Sequence, residues 1–299
     1  MTITIRTLIC ILPVICALPA YCADVAKFKP LSEIYLDANK IQLKNPEGIA
    51  CGKTTVLVAD TGNGRLVRYT KADNELKNGV EIKLEQVPYP IRLKATIQGK
   101  VLALDGKGRK IAILTADGNF VSYLDYKNVP TPVDIVPRSM TVDAGDNIYI
   151  VDTLSARLIV TDQTGAFLRQ FPFPKEAGFI SDVAVDQRGG IYILDSIMGQ
   201  VYKAVPNGTT FQQFSSQLQS QNYFAVSMET DPQGRLYLLD QNDSAVILLG
   251  PDGSFLGRYL SYGWRAGQIN YPSQSCLTEN GTMIITDRNN SRIQLFKVQ

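Results

Sequence analysis

Histidine is absent from all 299 residues. Its absence removes Ser-His-Asp and Cys-His nucleophile pairs, histidine-ligated zinc and histidine acid–base chemistry. Cysteine is scarce. Of five, Cys10, Cys16 and Cys22 fall in the first 22 residues, leaving Cys51 and Cys276. Two thiols exclude a four-cysteine zinc site. Charge of one sign is not in excess: 30 basic against 28 acidic residues give a net charge of +2. Such a balance supplies no global field for nucleic acid or an anionic membrane. Tryptophan occurs once, at Trp264, beside Arg265.

The long apolar run, TLICILPVICALPAYC at residues 7–22, is broken by prolines and preceded by Arg6. It is too short and interrupted for a spanning helix and reads as a cleaved secretory signal, residues 1–22, before one domain over 23–299. A cut after Cys22 or after Ala23 suits the small residues there. A lipoprotein signal would place the lipid on Cys22, although Pro19-Ala20-Tyr21 matches such a signal poorly. The expectation is an exported, periplasmic or extracellular protein that does not span a membrane. An even cysteine count in an exported chain raises the prospect of a disulfide.

The sequence repeats itself. Short apolar runs end in Asp60, Asp105, Asp152, Asp195, Asp240 and Asp287, at steps of 45, 47, 43, 45 and 47 residues. Five residues after each stand Arg65, Lys110, Arg157, Gln200, Ala245 and Arg292; another apolar strand follows. Gly- and Asp/Asn-rich turns such as ADGN, DQTG, PNGT and PDGS lead to a further strand. Each unit is thus four short strands joined by hairpin turns, the size of a propeller blade. The fold class is all-β: a six-bladed propeller of four-stranded antiparallel blades. The last unit stops after its third strand, so the N-terminal segment SEIYLDANKIQL (32–43) is expected to complete it and close the ring. The Asp60-Thr61-Gly62 triplet has the spelling of an aspartic-protease motif but occurs once. A residue type present in every repeat serves the repeat, so the six aspartates are read as holders of the following turn.

Pro46–Ala50 followed by VLVADTGNGRLVRY resembles the NHL repeat, as do PRSMTVDAGDNIYIVDTLSARLIV and MIITDRNNSRIQLF. The likeness is strong in blades 1, 3 and 6, and weaker where Lys110, Gln200 and Ala245 replace arginine. The resemblance implies a six-bladed propeller and leaves function open among scaffolds, ligand binders and a few enzymes. Lactonase-type six-bladed propellers hold calcium in the tunnel; lyase relatives use histidine-ligated zinc, a route closed here.

In such a ring Cys51 and Cys276 lie on inner strands of neighbouring blades. Counted from Pro46 and Pro272, they point to opposite sheet faces, and a bond between them is expected. Candidate binding residues fall in two groups. Tyr262, Trp264, Arg265, Tyr271 and Tyr89 lie in the inter-blade loops, with an interface-like composition. Glu47, Arg92, Arg138 and Asp182 fall near the starts of inner strands, around the tunnel mouth, as does Gln274. The first expectation is a non-catalytic binding module holding a protein partner, in an envelope assembly or alone, or else a saccharide or peptide, with no cofactor, metal or nucleic acid. The alternative is a calcium-dependent lactonase or hydrolase working in the tunnel.

Overall fold

The computed structural model describes residues 26–205, 208–215, 218 and 224–299. The expected signal segment, residues 1–22, lies outside the described residues. The described strands form six four-stranded antiparallel sheets. Blade 1 comprises Gly48–Cys51, Thr55–Asp60, Arg65–Ala72 and Glu75–Ile82, counted from the axis outwards. Blades 2 to 5 follow over residues 90–123, 137–172, 180–213 and 225–259. Blade 6 has Ser275–Leu277, Thr282–Asp287 and Arg292–Val298, and its outer strand is Phe28–Ile34 from the N-terminal end. The closure is as expected, but the strand lies earlier than residues 32–43. Asp37 explains the shift: its Oδ1 accepts the N–H groups of Asn39 and Ile41, which folds that segment into a turn.

Why the second strands read as unbroken apolar runs is clear from the packing. Six hydrophobic clusters occupy the six junctions between neighbouring blades. In Thr55–Asp60, Val56 and Val58 pack towards blade 6, whereas Leu57 and Ala59 pack towards blade 2. A strand buried on both faces has no polar side to alternate with.

The repeat aspartates have one job in common. Each accepts an N–H from the loop sixteen or seventeen residues before it: from Lys44, Tyr89, Val136, Phe179, Phe224 and Asn270 in turn. This bond pins each incoming loop to the head of its blade. All six aspartates are buried. In blades 1, 3 and 6 the arginine five residues on neutralises the charge, with Nε to Oδ2 at 2.7, 3.0 and 2.6 Å. Asp60 thus makes the same loop-pinning bond as its five equivalents, and its charge is taken by Arg65.

Blade 5 lacks this cation, since Ala245 stands in its place. Asp240 Oδ2 is buried without a partner among the described residues, and burial raises its carboxyl above the ordinary range. A raised folded-state value means that Asp240 contributes stability only below the unfolded carboxylate range. That contribution is lost as pH rises through the folded value. Asp240→Asn is accordingly expected to be at least as stable as the parent at pH 7, with the gain shrinking towards pH 4. Asp287→Asn should destabilise at pH 7. Thermal melts at the two pH values check the pair; a clear loss at pH 7 in Asp240→Asn would overturn the reading.

Cys51 and Cys276 are joined by a disulfide, with Cα atoms 5.9 Å apart, across the junction of blades 1 and 6.

Candidate functional site

The inner strands of all six blades begin on one face, here the mouth face. Several of their side chains cross the axis and fill it. Lys94 Nζ of blade 2 meets Glu229 Oε1 of blade 5, diametrically opposite, at 3.0 Å. Above that pair Arg92 donates to the carbonyls of Ser273 at 2.7 Å and Val226 at 2.8 Å, tying blade 2 to blades 6 and 5. Gln274 accepts from the N–H groups of Ile49 and Leu93 and donates to the Leu93 carbonyl. Asp182 accepts Ser139 Oγ at 2.5 Å and the Met228 N–H at 2.7 Å, bridging blades 3, 4 and 5. The tunnel is thus crossed by polar groups paired with one another, and a ligand at the mouth would sit above them.

The charged residues expected at the mouth therefore divide. Arg92, Asp182 and Gln274 are buried and engaged as blade-to-blade ties. Glu47 and Arg138 are half-buried at the rim. Glu47 Oε1 accepts from Arg288 Nε at 3.2 Å. Arg288 was not singled out in the sequence, although its place directly after a repeat aspartate puts it in a mouth-face turn.

Arg138 differs from every repeat arginine. It occupies a β-bulge: the register jumps between Pro137 and Ser139, leaving Arg138 without a partner on the second strand. Bulges re-aim side chains. Its guanidinium lies over the Phe179 ring, 5.5 Å from the centroid. Its Nε is fully buried without a hydrogen-bond partner. Burial, and then the neighbouring charge of Arg92, push its pKa down to about 10, against the pull of Asp182 and Glu47. With Nε sealed in, it is the Nη groups of this half-buried guanidinium that an incoming anionic or carbonyl oxygen can reach.

The loop residues lie elsewhere on the mouth side. Trp264 is 70% exposed and Tyr262 is 62% exposed. Arg265 is exposed; its carbonyl accepts from Arg292 Nη2. Tyr271 lies under the Arg288 guanidinium, and Tyr89 under the Lys107 ammonium. Arg288 thus links Tyr271 to Glu47, while no contact recorded for Trp264, Tyr262, Arg265 or Tyr89 reaches Arg138.

Calcium takes six to eight oxygen ligands. The mouth offers Glu47 and an Asp182 whose two oxygens are already engaged, with Arg92 and Arg138 beside them. No group of three or more His, Cys, Asp or Glu side chains able to hold a metal occurs among the described residues. This donor set does not fit a calcium ion.

These features define a six-bladed β-propeller with a closed axis and a charged mouth. No family profile matches the chain, and no curated protein matches it in sequence. Solved structures do. A streptogramin B lyase superposes with a TM-score of 0.63 at 12% identity, covering 92% of this chain and 98% of its own. A Staphylococcus aureus virginiamycin B lyase with quinupristin gives 0.64 at 13%, covering 91% and 99%; it is a histidine-to-alanine variant described as catalytically inactive. A gluconolactonase from Xanthomonas campestris gives 0.65 at 13%, covering 91% and 97%. At these identities the likeness establishes the fold. The lyase and gluconolactonase named here have enzymatic activities, and this corrects the expectation of a non-catalytic binding module. In the sequence, the lack of histidine, of a nucleophile–base pair and of a metal constellation weighs towards a non-catalytic module, with a lactonase or hydrolase as the alternative. Arginine and carboxylates at a propeller mouth need no histidine.

Proposed function

We propose that this chain is a propeller enzyme of the hydrolase or lactonase kind, with its site at the mouth above the closed axis. The observation that carries the reading is Arg138, a bulge-borne, half-buried guanidinium with an orphaned Nε. In a hydrolysis its N–H groups would hold the oxygen on which negative charge develops as water adds to a carbonyl. Glu47, half-buried at the same rim, would take the proton from that water and return it to the departing alkoxide oxygen. The bond to Arg288 would orient the carboxylate. Histidine chemistry of the kind the inactive lyase variant points to has no counterpart here, which favours the lactonase class. No step is routed through calcium.

Export is supported by residues 1–22 and by a disulfide of the kind that persists in oxidising compartments. The finer reading of the repeats as NHL-type rests on the residues of blades 1, 3 and 6.

A pH-stat screen of γ- and δ-lactones and simple esters, with and without chelator, tests the proposal. Arg138→Gln is expected to lower kcat by about 10²-fold or more. The same change should raise stability by about 1–2 kcal/mol, because an underpaired cation kept for function costs stability. Chelator should have no effect. Turnover that Arg138→Gln leaves intact, or that chelator abolishes, would overturn the assignment.

A further inference from the structure

The opposite face is not flat. A cleft of about 390 Å³ opens there between blades 3, 4 and 5, bounded by the turns at 186–190 and 231–234 and by Val205 and Pro251. Its volume falls in the range of small-molecule sites. It lies at the far ends of the strands from Glu47 and Arg138, so it is independent of the proposed active site.

Three cations line it: Arg169, Arg188 and Lys203. Among the described residues none of them has a carboxylate within ion-pair distance. Arg169 lies over the Phe171 ring at 5.2 Å and reaches the Tyr149 hydroxyl at 3.4 Å. Lys203 lies over Tyr192 at 4.9 Å and Phe214 at 5.3 Å. A ring face holds a cation in place without neutralising it.

The two acids of the cleft are committed to their own turns. Asp186 accepts the N–H groups of Arg188 and Gly190 on one oxygen and the Tyr192 hydroxyl on the other. Asp231 accepts from Gln233 and Arg235 N–H groups, and its other oxygen takes Arg235 Nε at 2.6 Å and the Tyr237 hydroxyl. Arg235 thereby neutralises Asp231, leaving three cations against Asp186.

We infer that this cleft binds a small organic anion bearing carboxylate or phosphate groups, its charge taken by Arg169, Arg188 and Lys203. Charge-assisted bonds from arginine suit either group.

Calorimetric titration at constant ionic strength with citrate, and separately with pyrophosphate, is the test. Saturable binding of one probe is expected. Arg188→Gln, on an exposed turn whose Asp186 bond uses only backbone, should weaken it about fivefold or more, and Arg169→Gln similarly. Arg138→Gln on the other face should leave it within about twofold. Tighter citrate would mark a carboxylate ligand and tighter pyrophosphate a phosphate, and either supports the site. No saturable binding, wild-type affinity in both cleft variants, or loss of binding in Arg138→Gln would overturn it.

Discussion

Replacing Cys51 and Cys276 with alanine together is expected to cost up to about 5 kcal/mol of stability, the largest effect of any change considered for this chain. The two residues are 225 apart in sequence. Cross-linking so long a loop removes much of the unfolded chain's freedom, and the loop-entropy relation gives about 5 kcal/mol as an upper figure. The bond also lies where the ring must be held shut. Both ends of the described chain lie in blade 6, whose outer strand Phe28–Ile34 runs on through residues 35–47 into blade 1, so the bridge is a second covalent link at this junction, placed between the inner strands. The hydrophobic cluster around Cys276, with Val56, Val58, Ile284 and Leu295, would survive the substitution. The fold should therefore persist while its denaturation midpoint falls. Guanidinium titrations of the variant, and of the parent with and without reductant, measure this. An unchanged midpoint at unchanged slope would show that strand closure and packing alone hold the ring.

The second large effect concerns Arg292. Its side chain is fully buried. Nε binds Asp287 Oδ2 at 2.6 Å, Nη1 binds Glu33 and the Tyr35 hydroxyl, and Nη2 binds the carbonyls of Arg265 and Gln268. One guanidinium thus gathers the third strand of blade 6, the N-terminal strand that completes the blade, and the loop that carries Trp264. Arg292→Leu would leave Asp287 buried without its cation, although Asn290 and Gln294 still donate to it. Breaking a buried pair from one side costs about 3–5 kcal/mol, and that is the expected loss. Adding Asp287→Asn to Arg292→Leu should recover part of it, because the uncompensated charge is then gone. Denaturant unfolding of the single and double variants checks this. A double variant weaker than the single by the full cost of Asp287→Asn alone would show that the two groups act independently. Arg65 plays the matching part in blade 1, where it binds both Asp60 and Asp37 at 2.7 Å.

Both effects concern closure, and the sequence carried the ingredients of each. The spacing of six Asp-terminated runs determined the blade count, because each blade must bury both faces of its second strand and so repeats one apolar pattern. The missing fourth strand of the last unit required another segment to fill it. Cysteines on the inner strands of blades 1 and 6 followed from the same register. What the sequence left open was whatever depends on distance across the ring. Lys94 and Glu229 are 135 residues apart and no local pattern links them, yet the six-fold arrangement brings blades 2 and 5 face to face. Arg92 and Arg138 each follow a proline that starts an inner strand, but one position apart: Arg138 takes the bulge position that Ile91 holds in blade 2, whereas Arg92 pairs with Leu104. The fold adds what surrounds them: Arg92 donates to two carbonyls, while Arg138 Nε has no hydrogen-bond partner. Likewise Arg169, from the outer strand of blade 3, meets Arg188 and Lys203 of blade 4 in one cationic cleft only because neighbouring blades come together at one edge of the ring. The periodic, local part of the protein was thus determined by residue pattern. The surroundings of its charged side chains were decided by closure of the ring, since closure sets which charges meet a partner across the blades and which do not.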